Sequence, residues 1–124
     1  MPRGCDGWIT RLANGRVNKM PLTRDFKETV LADIRRNPGF RKEMLTGALE
    51  ELLAGDVAVA KSMLRDLING SLGFEALAKR VGLPSKSLMR MFGPNGNPTA
   101  NNLFAVIAAL QKDAGIELQV MAAE

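Results

Sequence analysis

Apolar residues recur with a helical period through most of the chain from Thr23 onward. Their spacing predicts three helices before residue 70: one capped by Thr23, a second over about residues 40–54 and a third over about residues 57–68. The apolar faces consist of Phe26, Val30, Leu31 and Ile34 in the first helix, Phe40, Met44, Leu45, Ala48, Leu49 and Leu52 in the second, and Ala60, Met63, Leu64, Leu67 and Ile68 in the third. We therefore expect an all-α protein.

The connections between these helices are short. Asn37-Pro38-Gly39 ends the first helix, because proline disfavours helical geometry in the residue before it. Gly55 suits the left-handed residue that ends a helix, and Asp56 suits the N-cap of the next helix. Connections of this length make neighbouring helices pack against each other.

Residues 73–92 predict two further helices joined by a tight turn at Gly82. Ala78 supplies the small side chain that closely approaching helices need, and Gly82 adopts a positive φ at little cost. The apolar positions of the segment then share one core, formed by Leu77, Val81, Leu83, Leu88 and Met91. This register favours a helix-turn-helix, and an ordinary helical hairpin is the alternative.

The remaining segments predict a loop, a helix and a strand. Residues 93–98 are rich in turn formers, and Thr99 then opens a helix through about residue 110 that closes the core. After Gly115, residues 116–120 alternate apolar and polar side chains, which predicts a short half-buried β-strand. A lone strand needs a partner, either a second copy of the chain or a different protein.

Composition and charge limit the classes of function. The 124 residues carry 17 Lys and Arg against 13 Asp and Glu, with no histidine and a single cysteine, Cys5. Such a chain has no Cys/His zinc site, no Ser-His-Asp or Cys-His nucleophile pair and no imidazole base. We therefore expect no enzymatic activity, no metal and no cofactor. Because one cysteine forms no internal disulfide, and no stretch reads as a signal peptide or a membrane span, we expect a cytoplasmic protein.

Three regions of the chain differ in composition. Residues 1–22 combine Gly, Pro and a net positive charge without a helical period, which predicts a basic, flexible N-terminal extension; a basic arm that reaches nucleic acid is the alternative. Met20 is an alternative start, which would leave residues 1–19 outside the natural protein. Residues 23–55 form the predicted N-terminal helical pair. Residues 56–124 form the predicted helix-turn-helix DNA-binding domain with its C-terminal strand.

Basic side chains predominate around the second helix of the predicted helix-turn-helix. If this helix enters a major groove, its start and its outer face meet the DNA, and these carry Ser85, Lys86, Met89 and Arg90. Lys86 or Arg90 would bond a guanine edge, and Ser85 would reach a base or a phosphate. Met89 would contact a thymine methyl, unless it is simply an isolated exposed apolar side chain.

Polar residues on either side of this helix are further candidates for phosphate binding. Lys79, near the end of the first helix of the pair, either binds phosphate or favours the helix dipole. Asn97, Thr99 and Asn101 surround the start of the following helix, where they either hold a phosphate or serve only as turn and cap residues.

Residues 56–120 resemble the helix-turn-helix antitoxins of bacterial toxin–antitoxin modules, the HigA-like and addiction-module antidote proteins. The matching features are Leu77-Ala78, Val81-Gly82-Leu83, Leu88 and the Gly96-Asn97-Pro98 turn, and the preceding helices extend the resemblance to about residue 24. The resemblance implies a lambda-repressor-like bundle that forms a homodimer and binds double-stranded operator DNA. It also implies repression of the protein's own operon and neutralisation of a RelE-like toxin by direct contact.

Two residues depart from the family pattern. Pro84 stands where related sequences often place a Ser or Thr cap, which predicts a helix that starts one residue later with Ser85 as its cap. Phe74 stands where a phosphate-holding Gln is frequent.

The leading hypothesis is a dimeric transcriptional regulator, the antitoxin and autorepressor of such a module. The alternatives are a protein-interaction module that masks a partner toxin through residues 23–54 without strong DNA binding, and a stand-alone repressor.

Overall fold

Six helices follow one another in this computed structural model, which describes residues 24–123, with side chains from residue 28 onward. They are α1 Arg24–Arg36, α2 Pro38–Leu53, α3 Val57–Gly70, α4 Gly73–Val81, α5 Ser85–Met91 and α6 Ala100–Ala114. The described residues are therefore all-α, as the apolar period predicts. The N-terminal extension, the Thr23 cap and the Phe26 side chain lie outside the described part of the chain.

The first connection is shorter than the sequence predicts. Asn37 is its only residue, and its Oδ1 accepts hydrogen bonds from the backbone N–H groups of Gly39 (3.0 Å) and Phe40 (3.4 Å). Pro38 occupies the first position of α2, where the N–H that proline lacks has no helical partner to lose. The second helix therefore begins two residues before the predicted residue 40.

The second connection follows the prediction. Gly55 lies in the left-handed region with φ of 90°. Asp56 is the N-cap of α3, and its Oδ1 accepts a hydrogen bond from the N–H of Val59 at 3.2 Å. Together they turn the chain so that α3 packs back against α2.

The core lies around α3, which packs against α1, α2 and α4, while α6 packs on α2 and α4. The largest side chains with almost no exposed surface are Ile34, Met44, Leu45, Val59, Leu64, Ile68, Leu77, Leu88 and Val106. Complete burial of an aliphatic side chain of this size stabilises a fold by about 1.5–3 kcal/mol. This core is the framework on which α4 and α5 rest.

Helices α4 and α5 are joined by the three-residue turn Gly82-Leu83-Pro84. Gly82 has φ of 75° and ψ of 31°, and the N–H groups of Gly82 and Leu83 both bond the carbonyl oxygen of Ala78, at 2.9 and 3.2 Å. The predicted shared core is confirmed: Leu77 and Leu88 are fully buried, and Val81, Leu83 and Met91 are partly buried against them. The turn thus seats the inner side of α5 on the core.

Replacing Gly82 with alanine is expected to destabilise the protein by about 1–2 kcal/mol, because left-handed backbone geometry is strained for a residue with a Cβ. A Cβ at this position would meet nothing within 4 Å, so the loss reports backbone conformation alone. Gly82→Asn should lose less, since asparagine tolerates this region better. Urea denaturation of the two variants measures the difference. Equal stability of Gly82→Ala and the wild type would contradict the geometry of the turn.

The predicted strand at residues 116–120 is absent from the structure, and the described residues contain no strand. Gln111 of α6 provides the reason: its side-chain Oε1 accepts the N–H of Leu118 at 2.8 Å, and its backbone carbonyl accepts the N–H of Ile116 at 3.0 Å. Ile116 and Leu118 are partly buried against the core. The alternation therefore predicted the partial burial of Ile116 and Leu118 but not the exposure of Val120, which is 78% exposed. The prediction of a strand was wrong because α6 takes the backbone donors of Ile116 and Leu118.

Candidate nucleic-acid interface

The two sides of α5 differ sharply in exposure. Leu88 is fully buried beneath the helix, whereas Lys86 and Arg90, one helical turn apart, are exposed. Met89 is 46% exposed beside them. The cationic groups of Lys86 and Arg90 make no hydrogen bond or ion pair with any described residue. The exposed face of α5 therefore carries two cations without a described partner, Lys86 and Arg90, and one apolar side chain, Met89. The opposite face packs on the core through Leu88.

The start of α5 corrects one prediction. Pro84 occupies the N-cap position with extended backbone (φ −64°, ψ 142°) and provides no side-chain cap, and Ser85 is the first helical residue. The prediction that Ser85 caps the helix was therefore wrong, because proline with extended ψ already provides the non-helical residue before the first turn. Ser85 itself is half-buried.

Helix α4 carries a basic last turn and an apolar start. Lys79 and Arg80 are exposed in that last turn, next to the turn at Gly82. Phe74, by contrast, is buried in the core. Position 74 is thus a packing position in this chain and offers no polar group to a phosphate.

Of the candidate phosphate-binding residues around the start of α6, Thr99 caps the helix, whereas the two asparagines are exposed to solvent. Thr99 is the N-cap, and its hydroxyl oxygen accepts the N–H of Asn102 at 3.2 Å. A hydroxyl that accepts one bond keeps its own proton, so Thr99 remains able to donate to an anion. Asn97 and Asn101 are exposed.

Lys61 of α3 is a residue that the sequence analysis missed. Its side chain is only 8% exposed, and its Nζ donates hydrogen bonds to the carbonyl oxygens of Gly93 (3.2 Å) and Gly96 (2.6 Å) in the loop after α5. A buried ammonium requires such partners, because an uncompensated charge would oppose folding strongly. The signal was present in the register: position 61 precedes Leu64 by three residues and Ile68 by seven, so it shares their buried face.

The loop that Lys61 holds folds tightly over the end of α5. The N–H of Gly93 bonds the carbonyl oxygen of Arg90 and the N–H of Gly96 bonds that of Gly93, both at 3.1 Å. A Cβ at Gly96 would overlap the carbonyl oxygens of Arg90 and Met91. Only glycine therefore fits at position 96 with this path of the loop.

The described residues provide neither a metal-binding cluster nor a membrane-spanning helix. They contain no group of three or more His, Cys, Asp or Glu side chains placed to hold a metal ion. None of their helices has both the length and the apolar character needed to cross a bilayer. No family model, curated protein or solved structure matches the chain.

Proposed function

We propose that this protein is a sequence-specific DNA-binding transcriptional regulator in which α4 and α5 form the helix-turn-helix and α5 enters the major groove. One observation carries the proposal: Lys86 and Arg90 project from the exposed side of α5, while Leu88 anchors its opposite side in the core. A recognition helix needs this division between an anchored face and a base-reading face.

The residues of the exposed face fit the chemistry of a major groove. Arg90 donates to the O6 and N7 acceptors of guanine, Lys86 bonds a guanine edge or a phosphate, and Met89 contacts a thymine methyl. Ser85 has a hydroxyl for a base or a phosphate at the start of the helix. Base contacts of this kind specify sequence, and contacts to phosphates hold the protein in register.

The flanking residues supply the phosphate contacts in this proposal. Lys79 provides a cation at the end of α4, and Asn97, Thr99 and Asn101 provide neutral donors around the start of α6. When the protein neutralises phosphates, the DNA releases the counterions condensed on them. The affinity of the protein for DNA should therefore fall as the salt concentration rises.

Lys61 and Gly96 hold the loop after α5 in a defined position next to the proposed interface. A site held by a buried hydrogen-bonded side chain and a close-packed loop loses less entropy on binding than a loose one. Lys61 fixes the loop after α5 and thereby limits movement of the C-terminal end of the helix.

The proposal extends to a cytoplasmic homodimer that represses its own operon as the antitoxin of a RelE-like toxin, a role that the family resemblance supports. A single seven-residue helix makes few base contacts, so two copies are needed on half-sites about 34 Å apart.

A protein-interaction module is the second candidate. It is favoured by Leu53 and Val57, which are 70% and 44% exposed on either side of the connection between α2 and α3.

Replacing Arg90 with alanine is expected to weaken binding to the DNA upstream of the protein's own gene by about 1–3 kcal/mol, between about 5-fold and 150-fold, if it contacts a base. Lys86→Ala should lower the slope of log affinity against log salt by about 1 if it contacts a phosphate. Fluorescence anisotropy over a salt series measures both quantities.

Arg35, an exposed arginine of α1, is the matched control. Helix α1 packs on α2 and α3 rather than on α5, so Arg35→Ala removes the same charge away from the proposed interface. We expect near wild-type affinity for this variant. Equal weakening by Arg35→Ala and Arg90→Ala would indicate non-specific attraction and contradict the assignment of α5.

A further inference from the structure

An open cleft of about 400 Å³ lies beside the C-terminal end of α5. Arg65 of α3 forms one of its sides, Met89 and Arg90 of α5 form another, and the loop residues 93–96 complete it. Arg65 and Arg90 are 25 positions apart in the sequence, and the fold places both of them along this cleft. The cleft is continuous with the exposed face of α5.

The loop that forms part of the cleft is fixed from beneath. Lys61 lies one helical turn before Arg65 on α3 and bonds the carbonyl oxygens of Gly93 and Gly96. Lys61 thus holds the backbone of the loop in place, and the two exposed arginines add positive charge to the cleft.

The chemistry of the cleft selects an anion. Both arginines are exposed, and neither guanidinium makes a hydrogen bond or ion pair with a described residue. No carboxylate is among the residues that line the cleft. A guanidinium presents paired N–H donors that match two oxygens of a phosphate, and it is weakly hydrated compared with an ammonium.

We propose that Arg65 binds a backbone phosphate of the DNA duplex in the cleft that it shares with Arg90. This inference rests on the proposed function and deepens it, since it extends the interface from α4–α6 onto α3. Arg65 then positions the duplex without reading sequence, while Arg90 is free to face the base edges.

The test compares Arg65→Ala with the wild type on the DNA upstream of the protein's own gene and on a random-sequence duplex. Loss of one phosphate contact should lower the salt slope by about 0.9, which corresponds to about eightfold weaker binding at 0.1 M salt and almost none near 1 M. The loss should be the same for both duplexes. Arg65→Lys should restore the slope, because it keeps the charge, and Arg35→Ala should leave the slope unchanged.

A second measurement separates this inference from the proposed function. Inorganic phosphate is titrated into the wild type and into Arg65→Ala at constant ionic strength, and the backbone amide signals of Gly93, Asn95 and Gly96 are followed by NMR. Shifts in the wild type that Arg65→Ala abolishes support the cleft as a phosphate site.

The outcomes are distinct. If Arg65→Ala matches the wild type in affinity and slope while Arg90→Ala binds weakly, the phosphate role of Arg65 is overturned and the proposed function stands. If the wild type binds neither duplex at low salt, the proposed function is overturned, and the phosphate titration alone decides whether the cleft is an anion site. Wild-type amide signals that do not respond to phosphate overturn the site.

Discussion

Gly96→Ala is expected to destabilise the protein by about 3 kcal/mol, at the upper end of the range for overpacking substitutions. The added Cβ would overlap the backbone carbonyl oxygens of Arg90 and Met91, which have no rotamer through which to move away. Relief requires the loop to lift from the end of α5, and this breaks the bonds from Lys61. In urea denaturation followed by circular dichroism, the midpoint should fall by about 1.5 M for a slope of about 2 kcal/mol/M.

Gly93 in the same loop provides the matched control. A Cβ there would lie 3.4 Å from the carbonyl oxygen of Arg90 and 3.5 Å from that of Met89, which is ordinary van der Waals contact. Gly93→Ala should therefore change the free energy of unfolding by less than about 1 kcal/mol. If the two alanine variants are equally stable, the path of the loop over α5 is wrong.

Lys61→Met is expected to lower the free energy of unfolding by about 2–3 kcal/mol. Hydrogen bonds to a charged group contribute about 1.5–3 kcal/mol, and the loss of the ammonium leaves the carbonyl oxygens of Gly93 and Gly96 without this donor. Part of that loss is offset because methionine has a similar length and an apolar end that suits burial. The difference should persist in 1 M salt, since buried charges are screened far less than exposed ones.

Lys42→Met is the control for this change, because Lys42 is exposed on α2. The same substitution there should alter stability by no more than about 0.5 kcal/mol. A Lys61→Met protein that is as stable as Lys42→Met would show that the bonds to the loop do not hold the end of α5.

Local patterns predicted the helices well, because each helix buries one face and the apolar period records that face directly. Asp56 and Gly82 lie where the sequence places a cap and a left-handed turn, since an N-cap needs a side-chain acceptor and a positive φ favours glycine. The start of α2 was missed by two residues because proline both ends one helix and opens the next. The N-terminal extension lies outside the described residues and stays a prediction.

Tertiary features were harder to predict. The alternation in residues 116–120 reflects the partial burial of Ile116 and Leu118 only, since Val120 is exposed. A strand also requires a backbone neighbour, and the side chain of Gln111 takes the N–H of Leu118 instead. Burial of Lys61 was visible only in its register with Leu64 and Ile68, not in its residue type. No local pattern reports that Arg65 lies beside Arg90, because their proximity depends on the packing of three separate segments.

Binding of duplex DNA by the exposed face of α5 is tested most directly by comparing two proteins. The wild type and the Lys86→Ala/Arg90→Ala double variant, shown by circular dichroism to share one fold, are titrated onto the DNA upstream of the protein's own gene at one stated salt concentration. We predict a specific complex with the wild type and binding at least about 50-fold weaker with the double variant. Equal affinity of the two proteins for that DNA would contradict the claim.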